Sequence, residues 1–283
     1  MRKKTESLID RVAGSAGTLP AALQSVAQFI AQHPDVASAS SAAELGVVTG
    51  TSDATVVRTA KALGYAGVKD MRRAAAEVLA TRANPGAVLA NRIERMHESV
   101  PLAQLYSDTV ASLGAVVEQL PQDHWAAVVE RVGASSGVLC YGLPPVGFIA
   151  EYLGLMLNRI GVPARAETTT GPYLADRLLS LPEIDTVVVF APVRPFRELG
   201  AVFRRADELE ARKVLITEAI GMPLSAQADH VLVTPATSLN TAGEVTVPLF
   251  LAHALVLSVA ATREERSVET MHRLDAIRRT IID

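Results

Sequence analysis

Residues 42–73 read AAELGVVTGTSDATVVRTAKALGYAGVKDMRR, and their punctuation decides the first part of the fold. Ser38-Ala39-Ser40-Ser41 supplies side-chain oxygens that can cap a short apolar helix over Ala42–Val48. Thr49-Gly50-Thr51 interrupts it, and Ser52 offers a second N-cap. Val56, Ala60 and Leu63 then recur at helical spacing, which predicts a second helix over Ala54–Leu63 with Gly64 as its C-cap. Tyr65-Ala66-Gly67 leads into a further helix from Val68 to Ala80. Helix, glycine-containing turn, helix is the spacing of a helix-turn-helix. In such a unit the second helix enters the major groove and its N-terminal residues reach base edges. Here those residues are Ser52, Asp53, Thr55 and Val56, with Arg58, Thr59 and Lys61 further along. Hydroxyls can bond phosphates or bases, the methyls of Thr55 and Val56 can touch thymine, and Arg58 can grip guanine or a phosphate. On spacing alone, a plain helical hairpin with Arg58 and Lys61 as solvated charges stays open.

Upstream, Leu23, Val26, Ala27 and Ile30 give Leu19–Ala31 a helical stripe that His33-Pro34 ends. Downstream, Asn84-Pro85-Gly86 is the first strong break, which places a head over residues 1–84. Residues 87–120 are helical in pattern, with Leu102, Leu105, Tyr106, Val110, Leu113, Val117 and Leu120 sharing a stripe. Pro121-Gln122-Asp123 caps another helix over His124–Val132. Residues 85–123 are therefore expected to be a helical linker and residues 124–283 a second domain. That domain alternates short apolar strands with helices. Strands are predicted at Val138–Gly142, Ala164–Glu167, Thr186–Ala191, Lys213–Thr217 and His230–Thr234. Helices are predicted at Phe148–Ile160, Tyr173–Leu181, Phe196–Ala211 and Pro223–Ala228, with Val245–Ala261 and Val268–Ile282 closing the chain. The pattern calls for an α/β body with a doubly wound, mainly parallel five-stranded sheet flanked by helices, behind an all-α head.

The charge is divided between the two parts. Residues 1–85 carry 10 Lys/Arg against 7 Asp/Glu, a net +3, and residues 86–283 carry 17 against 23, a net −6. A mildly basic head on an acidic body is compatible with nucleic acid binding by the head. Aromatics make up 4% of the chain, so the cores must be built from Leu, Val, Ile and Ala. Cys140 is the only cysteine, which rules out an intrachain disulfide and a polycysteine zinc site. Within a predicted strand it reads as a small core hydrophobe. No apolar run follows Arg2, Lys3 and Lys4, and Val245–Ala261 is shorter than the ~20 residues of a membrane span. A soluble cytoplasmic protein with no membrane partner is expected.

The residues of the head also match a known pattern. Ser52, Ala54, Thr55, Arg58, Lys61, Leu63-Gly64-Tyr65 and Gly67 stand where the N-terminal domain of RpiR-type regulators carries Ser-x-Ala-Thr, Arg, Lys, Leu-Gly-aromatic and Gly, and Leu19–Ala80 resembles that domain. Thr59 departs from the aromatic or larger apolar residue usual after the Arg, which suggests looser packing there. Residues 124–262 resemble the sugar-isomerase (SIS) domain that usually follows such a head. The resemblance rests on GVLCYG at 137–142, NRIGVPA at 158–164, DTVVVFAP at 185–192 and KVLITEAIGMPLSAQADHVLVT at 213–234. It implies a regulator that binds a double-stranded DNA operator as a homodimer or homotetramer, without cofactor or metal. It also implies a connection to carbohydrate or related carbon metabolism and a possible sugar phosphate or other anionic metabolite as effector.

The effector loops depart from that family. Gly142-Leu143-Pro144-Pro145-Val146-Gly147 has no hydroxyl, and its prolines remove two N–H donors. Ala191-Pro192-Val193-Arg194-Pro195-Phe196-Arg197-Glu198 has lost the usual serines and threonine but keeps the glutamate. In one reading Arg194 and Arg197 take over an anion by charge-assisted bonds, with Thr168, Thr169 and Thr170 adding hydroxyls and Gly142, Leu143, Glu198 and Glu244 lining the site. In another, the domain has lost sensing and serves only for oligomerisation. A phosphosugar isomerase or binding protein is a third. Its general base would be Glu244 or His253, whose plainer roles are a helix N-terminal carboxylate and a core or interface histidine. With the cradle eroded and a DNA head attached, the chain is not expected to be an enzyme.

Overall fold

A computed structural model describes residues 7–15, 18–82, 84–97, 101–181, 183–191, 196–218, 224–235 and 243–282. It divides into two compact units, one within residues 1–98 and the other within residues 99–283. The first unit is all helical: α1 (Leu8–Gly14), α2 (Ala21–Gln32), α3 (Pro34–Ala39), α4 (Ala42–Val48), α5 (Asp53–Ala62), α6 (Val68–Arg82) and α7 (Pro85–His97). Its core follows from helical periodicity. Val26, Ala27 and Ile30 of α2, Leu45 of α4, Val56 and Ala60 of α5, and Met71 and Ala75 of α6 are fully buried.

The breaks are chemical. Ser41 and Glu44 form a reciprocal capping box at α4: the Glu44 amide donates to Ser41 Oγ at 3.3 Å, and the Ser41 amide to Glu44 Oε2 at 2.6 Å. The backbone and side-chain donors of Ser41 hold the Glu44 carboxyl below its ordinary value. His33-Pro34 ends α2 as expected, but Pro34 also opens α3. Its missing N–H falls at a first-turn position that has no intrahelical partner. Neither α3 nor α1, whose Leu8 and Val12 are buried, was apparent from the sequence.

The second unit begins with α8 (Pro101–Gln119) and α9 (Gln122–Gly133). The single helical stretch expected over 87–120 is thus two helices, and Pro101 starts the second for the reason Pro34 starts α3. The body then alternates β1 (Val138–Gly142), α10 (Gly147–Arg159), β2 (Ala164–Glu167), α11 (Pro172–Leu179), β3 (Thr186–Ala191), α12 (Arg197–Glu208), β4 (Arg212–Thr217) and β5 (His230–Val233). A short 3-10 turn at Ser225–Gln227 stands in the described part of the predicted Pro223–Ala228 helix. α13 (Gly243–Thr262) and α14 (Glu264–Ile282) close the chain. α14 starts earlier than predicted because Glu264 and Glu265 suit a helix N-terminus.

All five strands are parallel, in the order β2-β1-β3-β4-β5. Two of the three interior strands, β1 and β3, are buried along their whole length, as helices on both faces require. Alternation sorts their residues between two cores. Val138, Cys140, Val188, Phe190, Val214 and Ile216 pack with α9, α10 and α13. Leu139, Tyr141, Val187, Val189 and Leu215 pack with α11 and α12. Cys140 is the core hydrophobe the sequence predicted, and burial pushes its thiol pKa far up. Val245–Thr262 of α13 is apolar and long enough to cross a membrane by length and composition, contrary to the expectation that it falls short. One stripe of it, through Val247, Leu251, Leu255 and Val259, is buried in the first of those cores.

Candidate nucleic-acid interface and effector crevice

α4, the turn and α5 form the expected helix-turn-helix. Gly50 sits at φ +64° in the turn and Gly64 at φ +81° after α5, both in the left-handed region that glycine reaches without strain. Thr49 Oγ1 donates to the Leu45 carbonyl at 2.7 Å and lies 2.9 Å from Thr51 Oγ1, so the turn is tied from inside. Ser52 caps α5, accepting from the Thr55 amide at 3.2 Å.

Burial divides the predicted contact residues. Ser52, Asp53, Arg58 and Lys61 are exposed. Val56 and Thr59 are fully buried and Thr55 nearly so, which corrects the expectation that these three side chains face outward. The reason is geometric: 55, 56, 59, 60 and 63 form one stripe at helical spacing, and that stripe is the head's core. Nor is Thr59 loosely packed, since its hydroxyl donates to the Thr55 carbonyl at 2.9 Å. The outward face includes Ala54, which is exposed, and Val57, which is half-buried. Sequence reasoning missed both, although the same periodicity, read from the opposite side, contains them.

Two arginines complete the picture. Arg58 Nη2 donates to Thr55 Oγ1 at 3.1 Å, and that oxygen lies 2.9 Å from Ser52 Oγ, so the guanidinium is held along the first turn of α5. Arg11, which the sequence did not single out, reaches from α1 to the other end of the helix. Its Nη1 donates to the carbonyls of Leu63 at 2.9 Å and Gly64 at 3.1 Å, and its guanidinium lies 4.8 Å from the Tyr65 ring centre. A cation bonded to the last carbonyls suits the helix dipole. Arg11→Ala is expected to destabilise the head by about 1–2 kcal/mol, read by urea denaturation. Operator binding should weaken without a change in its salt dependence, because Arg11 holds protein backbone and not phosphate.

In the body, the order 2-1-3-4-5 places a crevice at the carboxyl ends of β1 and β3, where a doubly wound sheet binds ligands. The β1 loop is tightly closed. A Cβ on Gly142 would lie 3.1 Å from the Val146 carbonyl oxygen, and one on Gly147 would lie 3.2 Å from Thr168 Cγ2. Leu143, expected to line the site, is a core residue, so only its backbone is available there. Thr168 and Thr169 are half-buried, Thr170 is exposed, and Arg197 is exposed at the start of α12. Arg194 lies outside the described residues. Glu244 falls in the first turn of α13, but its side chain also lies outside them.

The structure brings the threonine loop together with two glutamates. Glu198 Oε1 accepts from the Gly171 amide at 3.3 Å. Glu167, the last residue of β2, was not identified from the sequence. It is buried, and its Oε1 accepts from the amides of Thr168 at 3.1 Å and Thr169 at 2.9 Å. The Thr169 hydroxyl bonds the same carboxylate, and Arg177 Nε lies 3.9 Å from Oε2. Burial pushes the Glu167 carboxyl up, but these donors and the guanidinium outweigh it and hold it below the ordinary range. Tyr141, whose hydroxyl donates to the Thr169 carbonyl at 3.2 Å, has its pKa raised by burial and by the charges of Glu198 and Glu167. His253 is exposed on α13, with Nδ1 2.6 Å from the Tyr152 hydroxyl.

Residues 9–82 match the helix-turn-helix domain of the rpiR family. An uncharacterized helix-turn-helix-type transcriptional regulator of Haemophilus influenzae is 22% identical over 232 residues, 81% of this chain and 80% of that protein. The sugar isomerase domain of the RpiR transcription factor from Sphaerobacter thermophilus is similar over 62% of this chain and 98% of its own, at 22% identity and a TM-score of 0.56. Vibrio vulnificus NanR, solved in complex with ManNAc-6P, is similar over 98% of this chain and 99% of its own, at 21% identity and a TM-score of 0.52. These likenesses identify the body's fold as that of a sugar isomerase domain.

Proposed function

We infer, for a chain that is a helix-turn-helix transcriptional regulator with an RpiR-family head and a sugar-isomerase-type body, that α5 lies in the major groove and reads an operator through Ser52, Asp53, Ala54, Val57, Arg58 and Lys61. What carries this reading is the partition of α5, with one stripe buried in the head and the opposite stripe outward at the helix's N-terminal half. Arg58 grips guanine or a phosphate, and Lys61 adds a phosphate contact. Asp53 would repel phosphate, so its place is at a base edge, accepting from a cytosine amino group. Thr55, Val56 and Thr59 act from behind by holding the helix. Two heads of a homodimer or homotetramer would meet a palindromic operator whose half-sites lie ~34 Å apart.

The body's role in this reading is to sense a small molecule of carbon metabolism at the carboxyl ends of β1 and β3. The surfaces offered are Thr168–Thr170, Arg197 and Glu198, with the backbone of Gly142 and Leu143; Arg194 and Glu244 are assigned to the same site from their places in the sequence alone. The effector acts through different affinities for DNA-competent and DNA-incompetent arrangements of two heads. Catalysis has no part in this reading, and the protein works in the cytoplasm. The tight packing of Gly142 and Gly147 favours a second reading, in which the body only oligomerises.

Selection of duplexes from a random library by the full chain, followed by titration of the winner at several salt concentrations, tests the DNA reading. A two-fold symmetric sequence whose binding constant falls steeply with salt is expected. Recovery of no common sequence would overturn it, and turnover of a sugar phosphate would favour an isomerase instead.

A further inference from the structure

An anion held at the carboxyl end of such a sheet needs backbone N–H groups and hydroxyls that point at it. In this chain such a constellation exists, and the chain itself fills it. The amides of Thr168 and Thr169 and the Thr169 hydroxyl converge on the Glu167 carboxylate, and the Gly171 amide goes to Glu198. Arg177 faces the outer oxygen of Glu167. Glu167 is 7% exposed, so it cannot swing into water without giving up these bonds. A phosphate reaching the loop would meet a negative charge in the place it needs. Displacing that charge would leave a buried carboxylate without its donors, a loss comparable to breaking a buried pair.

We propose that Glu167 is a built-in anion that bars phosphate from the Thr168–Gly171 loop, so that any ligand of this crevice presents hydroxyl or amino groups there. This deepens the sensing role of the body and rests on it only for the existence of a ligand. The Thr169 hydroxyl is committed to Glu167, and Thr168 (half-buried) and Thr170 (exposed) are hydroxyl-bearing residues of the kind that suit a polyol. Glu198, half-buried beside Gly171, suits a hydroxyl or an amine and opposes a second anion. Removal of the Glu167 carboxylate should convert the loop into an anion site, because the donors remain on a backbone fixed by β2 and α11.

Inorganic phosphate is the probe, titrated into the full chain by calorimetry and followed at the amide resonances of Thr168 and Thr169. In the wild type those resonances should not move at millimolar phosphate. In Glu167→Ala they should shift and saturate, with at least a tenfold gain in phosphate affinity. Glu167→Gln keeps the shape of the side chain and drops its charge. It should show a smaller gain in the same direction and stands as the decisive variant if the alanine protein does not fold. Saturable phosphate shifts at Thr168 and Thr169 in the wild type would overturn the proposal while leaving a sensing body intact. No gain in any folded variant would also overturn it. A gain in the variants, with no neutral or amino sugar binding the wild type, would uphold Glu167 and remove the sensing role instead.

Discussion

Arg58→Ala is expected to weaken binding of the selected operator by roughly 10- to 100-fold, about 1–3 kcal/mol, with the head still folded. The side chain is exposed and forms no part of the buried stripe, so its truncation removes no core contact. Its bond from Nη2 to Thr55 Oγ1 at 3.1 Å is not a cap of α5, whose first turn is capped by Ser52 Oγ and whose last carbonyls are held by Arg11. That bond instead limits the guanidinium's conformations before DNA arrives, so less freedom is lost on binding. Fluorescence anisotropy at two salt concentrations separates the two possible contacts. If Arg58 grips a base, affinity for the operator falls, affinity for unrelated duplex hardly changes, and the salt slope stays the same. If it clamps a phosphate, both affinities fall and the slope drops by about one. Arg58→Lys divides the cases again, since an ammonium can replace a phosphate contact but not a bidentate one. Unchanged binding by Arg58→Ala would show that α5 is not the reading helix.

The helix-turn-helix was legible because each boundary is marked by a residue acting locally. Ser41, Gly50, Ser52 and Gly64 each act within four residues, and no distant contact is needed to interpret them. The parallel sheet was legible for a similar reason: strands covered on both faces must be apolar throughout. What the sequence concealed depends on residues far apart in the chain. Arg11 caps a helix 52 residues away. Glu167 looks like an ordinary strand-end carboxylate until the loop after it folds back, and Glu198 meets Gly171 across 27 residues. The direction of each α5 side chain was a local matter and could have been read. Treating every residue near the N-terminus of the second helix as a contact overlooked that Val56 and Thr59 share a stripe with Ala60 and Leu63.

Gly46→Val is expected to abolish operator binding by a different route, through loss of the head's structure. Gly46 is buried in α4, and its carbonyl accepts from the Thr51 amide at 2.8 Å. A Cβ there would stand 3.0 Å from the Thr51 carbonyl oxygen, 3.1 Å from the Asp53 nitrogen and 3.1 Å from the Ser52 carbonyl carbon. All three are backbone atoms of the turn and the first turn of α5, so they cannot rotate away as a side chain would. Alanine forces a shift of a few tenths of an ångström, at a cost of about 1 kcal/mol. Valine adds two methyls at the closest approach of the two helices, at a cost of about 3 kcal/mol. A helical unit of this size has only a few kcal/mol in reserve, so the valine protein's head should be largely unfolded at 37 °C. Hydrogen exchange should then show loss of protection over α2 to α6, with β1 and β3 still protected. The alanine variant should bind the operator with intermediate affinity that recovers on cooling. Gly46→Val and Arg58→Ala would thus both lose DNA binding, but only the first would lose it together with amide protection. Full protection in a valine variant that still binds would mean that α4 and α5 do not meet backbone to backbone, and the placement of the α5 face would fail with it.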